Sequence, residues 1–341
     1  MPEISSREIR LKNRPVGLPA ETDFELAETK IAEISDGQVL IRNIYMSVDP
    51  YMRGRMYDRK SYIPPFQINQ PLQGGCVGQV SASKNDEFAV GDCVVSMLGW
   101  REYAVSDGRG LIKIDPNQFP IQTYLGAAGM PGMTAYVGLL DIGKPREGET
   151  VFVSAASGAV GSIVCQIAKL KGCRVVGSAG SDEKVAWLTE EAGVDAAFNY
   201  KKADHLIAEV GKYCSQGIDV YYENVGGEHL VAALEHMNPF GRLVMCGMIS
   251  IYNATQPVAG PPNLGHIISK KLTMQGFIVG DHMHRLSDFH ADMATWVAQG
   301  KIKWKETVLE GIENAPAAFI GLFKGQNFGK MLVKLGSDQD L

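Results

Sequence analysis

Residues 151–161 read VFVSAASGAVG, and the fold is decided there. A run of strand formers enters Ala156-x-Gly158-x-x-Gly161, and an apolar helical pattern follows at once. Small residues at this spacing between a strand and a helix form the dinucleotide-binding turn, here with Ala in place of the first glycine. Gly158 lets the backbone approach a pyrophosphate, and Gly161 lets the helix pack closely on the strand. The free N–H groups and positive dipole end of that helix hold phosphates. The turn therefore predicts a nicotinamide or flavin cofactor and redox chemistry. The competing reading is an ordinary tight strand-to-helix turn, and the surrounding sequence weighs against it.

From about residue 128 onward, strands and helices alternate. Strands are expected near 151–154, 174–177, 196–199, 219–223, 242–246 and 272–279. Helices are expected between them; Val160, Ile163, Val164, Ile167 and Ala168 share one helical face. A helix over 133–140 leads in, and another at about 284–300 follows. Six strands alternating with helices predict a doubly wound parallel sheet, the Rossmann arrangement. Residues 1–126 differ: short β-runs such as 39–45, 77–82, 93–98 and 103–106 are broken by Gly, Asp and Pro. The last stretch returns to β character. The class is α/β, with a β-domain formed by 1–126 and 303–341 and a nucleotide domain formed by 127–302. A ligand cleft between the two is expected.

The acidic partner of the glycine turn is missing. An NAD site usually places Asp or Glu about 20 residues on, against the ribose hydroxyls. Here the second strand runs through Arg174–Gly177 into Ser178-Ala179-Gly180-Ser181, with no carboxylate before Asp182. Lys184 lies one helical turn further, although it also reads as a solvated helix lysine. Gly, Ser and a lysine favour a 2′-phosphate, so NADPH is expected over NADH. Two further loops leave strand ends: Glu223–Gly227 and Cys246–Asn253. Asn224 is poised either to hydrogen-bond a cofactor or to cap the next helix. Tyr252 lies near the expected nicotinamide end, where a packed surface aromatic is the plainer alternative.

Composition narrows the class. The chain has 341 residues, 45% hydrophobic and 21% charged, as ordinary globular proteins do. A net charge of −5 suggests no nucleic-acid surface. No apolar run of membrane-spanning length and no signal-peptide core is found. Cysteines 76, 93, 165, 173, 214 and 246 form no C-x-x-C pair and read as reduced thiols of a cytoplasmic protein.

Eight motifs follow in order: MSVDPYMRGRM (46–56), GMPGMTAY (129–136), AASGAVGS (155–162), AGSDEK (179–184), FNYK (198–201), YENVGG (222–227), CGMISIYN (246–253) and QNFGKMLV (326–333). Together they resemble the zinc-independent medium-chain reductases that reduce the double bond of enals and enones. That group includes leukotriene B4 dehydrogenase/prostaglandin reductases, plant alkenal reductases and bacterial curcumin reductase. The resemblance implies a GroES-like β-domain beside the Rossmann domain, and a homodimer joined through the latter. It implies that Lys184 and Tyr200 contact the 2′-phosphate of NADPH. The Gly158-Ala159-Val160-Gly161 turn, Ser178, Gly180, Asn224, Cys246 and Gly247 would line the cofactor. Pro131 and Thr134 would pack near the dinucleotide, Phe277 and Val279 would flank the nicotinamide, and Asn327 would reach over it. Tyr51 and Tyr252 would border the substrate, Tyr252 as proton donor or carbonyl-orienting group. The run Tyr57–Lys60 and the proline-rich 254–262 depart from the pattern and bear on substrate size.

No catalytic zinc is expected. Residues 74–77 read Gly-Gly-Cys-Val where the related alcohol dehydrogenases carry Gly-His-Glu, and residues 1–204 contain no His. His282, His284 and His290 read as solvated helix residues. Without a metal, a conjugated carbonyl is the easier hydride acceptor, because charge spreads to oxygen as an enolate. Tyr252 and the cofactor ribose hydroxyl are the candidate donors to that oxygen. The expected partner is a small enal or enone. The rivals are a quinone reductase of the same superfamily and a non-catalytic NADPH-binding protein.

Overall fold

The computed structural model describes residues 4–337. They group into two compact units: one holds the chain up to Leu125, Glu306–Asn327 and the segment from Met331, and the other holds Gly126–Lys305 with Phe328–Lys330.

The second unit carries the parallel sheet. Its strands are β1 (Thr150–Val153), β2 (Arg174–Ala179), β3 (Ala196–Asn199), β4 (Ile218–Glu223), β5 (Met237–Met245) and β6 (Thr273–Gly276). They lie in the order 3-2-1-4-5-6, every neighbour parallel. The order reverses beside β1, so the carboxyl ends of β1 and β4 open the crevice where such sheets bind ligands. The strands read as near-continuous apolar runs because helices cover both faces. Val151, Phe152, Val175, Val176, Val220 and Tyr221 are all fully buried.

Several element boundaries differ from the sequence expectation; β5, for one, starts five residues early, at Met237. β2 runs on to Ala179, which places Ser178 inside the strand rather than on the loop. β6 stops at Gly276, so Phe277 and Val279 lie beyond it, Val279 opening a short 3-10 helix. The lead-in helix starts early, at Met130, because Gly129 takes an extended conformation and Pro131 suits the first turn; it ends at Val137 and passes into a wider turn, Gly138–Gly143.

The first unit is antiparallel. Val39–Ser47 pairs with Cys76–Ser83, with Tyr103–Ser106 and with the last strand, Lys330–Lys334. Ile9, Met46, Met52, Phe66, Trp100 and Phe319 meet in its largest core, and Phe24 stacks flat on Trp100. This is the GroES-like domain.

Candidate cofactor and active site

The glycine turn assigns a separate task to each small residue. Backbone bonds from Gly158 N to Ala155 O (2.9 Å) and from Ser162 N to Gly158 O (3.0 Å) lead the chain into the helix Gly161–Leu170. A Cβ on Gly161 would stand 2.4 Å from Ala155 O and 2.9 Å from Ala156 Cα, so close helix packing excludes any side chain there. A Cβ on Gly158 would meet only Ala155 O, at 3.2 Å, with open space elsewhere. Gly158, Ala159 and Val160 are the partly exposed crest of the turn. Ala156 is tolerated in place of the first glycine because Gly177 faces it. A Cβ on Gly177 would lie 2.7 Å from the Ala156 methyl, so the small residue has moved to the neighbouring strand.

The QNFGK segment completes this wall in a way the sequence did not reveal. Gly329 N donates to Ser157 O at 3.0 Å, Gly329 bridges Gly158, and Phe328 sets its ring edge-on to Trp187. Gly329 has φ +65°, and a Cβ there would lie 1.8 Å from Lys305 O, so only glycine fits.

Cations gather at the end of β2. Ser181 caps the helix Asp182–Glu190 by accepting from Lys184 N, which aims the helix start at the strand end. A Cβ on Gly180 would come within 3.3 Å of Lys201 Cε and 3.4 Å of Tyr200 Oη, so both side chains overhang this glycine. Burial, then the neighbouring positive charge of Lys201, holds the Lys184 ammonium below its ordinary range. A site crowded with cations gains when an anion enters. Asp182, at the start of this helix, is committed elsewhere: Asn199 Nδ2 donates to it at 2.9 Å and Lys202 pairs with it, while Glu183 offsets part of the positive charge at Lys184. Lys201 is a member of this cluster that the turn and strand patterns do not single out; its place beside Tyr200 in FNYK is the signal that points to it. Ser178 is fully buried, its hydroxyl 3.1 Å from His229 Nε2 and its carbonyl accepting from Ala156 N, so it lies under this cluster rather than in it.

A hydrogen-bonded network joins the ends of β1 and β4. Asn224 N donates to Ser154 Oγ (2.9 Å), Ser154 Oγ donates to Glu223 Oε1 (2.9 Å), and Val225 N donates to the same oxygen (2.7 Å). Asn224 Nδ2 donates to Ser154 O at 2.7 Å. Asn224 therefore does not cap the following helix, whose N-cap is Gly227. Glu223 is fully buried, and burial raises its carboxyl above the usual range.

The loop after β5 carries Tyr252. Its hydroxyl oxygen accepts from Met248 N at 3.2 Å and lies 3.0 Å from where a Gly247 Cβ would stand. That contact uses an oxygen lone pair, not the hydroxyl hydrogen. Burial raises the phenol above its ordinary pKa, so the proton stays on at neutral pH. Burial likewise pushes the Cys246 thiol up to about 12. Tyr222 Oη donates to Thr134 O at 2.8 Å and ties the helix Met130–Val137 to the sheet. The Thr134 hydroxyl is turned back on Met130 O, and Pro131 is buried in the first turn. Phe277 packs toward Gly138, where a Cβ would lie 2.7 Å from its ring.

Tyr51 and Asn327 belong to the first unit. Tyr51 precedes the short helix Met52–Arg55, packs on the Met52/Met56/Phe66 core, and burial raises its phenol pKa. Asn327 follows the helix Ala315–Phe323. Among the described residues, no three of His, Cys, Asp and Glu are grouped to hold a metal ion, and no helix is long and apolar enough to cross a membrane.

A 3-2-1-4-5-6 parallel sheet with a glycine turn at its switch point, joined to a GroES-like domain, defines a two-domain dinucleotide-dependent oxidoreductase. Residues 7–114 match the family described as "N-terminal domain of oxidoreductase", and residues 159–299 match "Zinc-binding dehydrogenase". The chain is 45% identical over 333 residues to the NADPH-dependent curcumin reductase of Escherichia coli, covering 96% of each chain. It is 43% identical over 341 residues to the 2-alkenal reductase (NADP(+)-dependent) of Nicotiana tabacum, covering 98% of this chain and 99% of that one. The crystal structure of CurA in complex with NADPH from Vibrio vulnificus superposes with a TM-score of 0.92 at 47% identity, covering 97% of this chain and 99% of that one. The chain belongs to the zinc-independent medium-chain dehydrogenase/reductase family, in the group of the curcumin, alkenal and prostaglandin reductases.

Proposed function

We propose that this chain reduces the carbon–carbon double bond of α,β-unsaturated aldehydes and ketones, with NADPH as reductant. The observation that carries the reading is Tyr252: a phenol kept protonated by burial and oriented by Met248 N–H, on the loop that leaves β5 at the ligand-binding edge of the sheet. The names of the relatives support the same chemistry.

The residues present suit NADPH. The open face of Gly158 and the crest Ala159-Val160 would take the pyrophosphate at the helix N-terminus. Lys184, Lys201 and Tyr200, above Gly180, would take the 2′-phosphate. Asn224, Cys246, Gly247, Phe277 and Val279 would line the nicotinamide half, with Pro131 and Thr134 behind it. Asn327 would close over it, and Tyr51 would border the substrate. When bound, NADPH supplies the hydride for the β-carbon of the conjugated carbonyl. Tyr252 donates a hydrogen bond to the carbonyl oxygen as enolate charge develops there. Its low-dielectric surroundings strengthen that bond in the transition state. The α-carbon then takes its proton from solvent or through Tyr252.

A homodimer joined through the second unit follows from the same reading. β6 is a sheet edge whose Thr273 and Gln275 are exposed. Ile268 (83% exposed) and Phe240 (67%) lie on neighbouring segments, an apolar border that a second copy would cover. Six free cysteines suit a reducing compartment such as the cytoplasm.

The test is NADPH consumption with an enal and enone series, run beside the saturated carbonyls and a simple quinone, with and without chelator. The conjugated series alone should turn over, unaffected by chelator, and yield the saturated carbonyl. Tyr252→Phe should lower turnover about 10²-fold with NADPH affinity nearly intact. Fast turnover of quinone with silence on enals would replace this reading by the quinone reductase. Full activity in Tyr252→Phe would remove Tyr252 from its role.

A further inference from the structure

His229 is a buried polar group that the proposed chemistry does not use. It sits in the first turn of the helix Glu228–His236, directly after Gly226 and Gly227, both at positive φ. It is 4% exposed. Its Nε2 lies 3.1 Å from Ser178 Oγ, itself fully buried, and the imidazole tautomer decides which atom donates. Its ring meets Tyr200 edge-on, centroids 4.9 Å apart at 77°. Tyr200 in turn overhangs Gly180 beside Lys201.

We propose that His229 is a positioning residue for 2′-phosphate recognition, holding the Tyr200 ring so that its hydroxyl stays over Gly180 beside Lys184 and Lys201. The proposal rests on the NADPH reading above. A leucine would fill the same space without burying a polar atom. Instead the chain buries an imidazole and, opposite it, a serine hydroxyl, each needing the other. That hydrogen bond fixes the rotation of the imidazole ring about its own axis. A ring so fixed presents a defined edge to Tyr200, and aromatic pairs prefer this edge-on geometry. Burial also pushes the His229 pKa down to about 4, so the ring is neutral in use and adds no charge to the phosphate site. His229 thus acts through Tyr200 and touches no ligand itself.

The test compares kcat/KM for NADPH and for NADH on one enone, in the full-length enzyme. Wild type should favour NADPH strongly. His229→Leu should lower the NADPH/NADH ratio about fivefold to tenfold, through the KM for NADPH, with kcat and the NADH constants near wild type. Ser178→Ala, which keeps the imidazole but removes the hydrogen bond that fixes it, should lower the ratio in the same direction by a smaller factor. Tyr200→Leu should lower the ratio at least as far as His229→Leu, and adding His229→Leu to it should change the ratio no further. An unchanged ratio in His229→Leu, or equal losses with both cofactors, would overturn the proposal. Should His229→Leu fail to fold, Ser178→Ala still decides: an unchanged ratio would refute the proposal. A wild-type ratio near one would instead overturn the NADPH reading, and the proposal with it.

Discussion

The two glycines of the turn should fail in different ways when each is changed to alanine. In Gly161→Ala the new methyl would stand 2.4 Å from Ala155 O, against an ordinary carbon–oxygen contact of about 3.3 Å. About 0.9 Å of movement is needed, and the obstacle is backbone. That backbone cannot give easily. Ala155 is already at φ +47°, its carbonyl accepts from Gly158 N, and Ala156 N is bonded to Ser178 O. Overpacking of this kind costs about 1–3 kcal/mol, and the helix preference of Ala over Gly returns at most about 1. A net loss of about 2 kcal/mol corresponds to a Tm lower by about 4–8 °C for a domain of this size. In Gly158→Ala the same methyl meets one oxygen at 3.2 Å and needs almost no movement. Its stability should stay within about 0.5 kcal/mol, yet the methyl would occupy the approach of the pyrophosphate and weaken NADPH binding about tenfold or more. Thermal unfolding of the cofactor-free protein, with NADPH titration by fluorescence, separates the two. A larger Tm loss in Gly158→Ala, or wild-type NADPH affinity in it, would refute the division of labour.

Three other outcomes are expected. Lys184→Ala and Lys201→Ala should each raise the KM for NADPH about tenfold and leave NADH unaffected, and added salt should weaken NADPH more than NADH; equal effects on both cofactors would show that these lysines do not read the 2′-phosphate. His229 should make the fold sensitive to mild acid. Its folded pKa, about 4, lies below the 6.5 of an unperturbed imidazole, so below pH 6.5 the unfolded chain takes up a proton that the folded chain refuses. Stability is lost as pH falls from about 6.5 to about 4, by about 2 kcal/mol at pH 5 and about 3 at the end. Urea unfolding at pH 7.5 and 5.0 should show His229→Leu losing correspondingly less than wild type, and parallel losses would contradict the assignment. Glu223→Ala would take the acceptor from Val225 N–H and leave Ser154 Oγ–H only its long contact to Tyr222 O (3.4 Å), at a cost of about 2 kcal/mol, whereas Glu223→Gln keeps an accepting oxygen and should stay within about 1 of wild type in denaturant unfolding.

The parallel sheet was legible because its signals are local. A buried parallel strand is a short apolar run, and each crossover helix is an amphipathic stretch between two such runs. Where expectation and structure part, a tertiary contact has overruled the local signal. Ser178 looks like loop, since Gly-Ser-Ala-Gly suggests one, but Ala156 N bonds its carbonyl and His229 satisfies its hydroxyl, so the strand continues. The early start of the helix at Met130 was readable from Pro131, which suits a first turn and resists a later one.

The site divides along the same line. The turn through Gly158 and Gly161 was legible because its geometry is encoded within a few residues. The residues that were missed act across the chain: Gly177 makes room for Ala156, Gly329 lies on Gly158, Lys201 stands beside Lys184, and His229 braces Tyr200. None of these pairings has a period or a spacing. The Ala at position 156 makes the point most directly. Read alone, it weakens the glycine fingerprint. Read with Gly177 opposite, it is the same close approach of two backbones, with the missing side chain supplied by the other strand. A departure from a motif can therefore be judged only against what faces it. By the same logic, the absent ribose-binding acid gains its meaning from Lys184, Lys201 and Tyr200, and from the pairing that keeps Asp182 away from them.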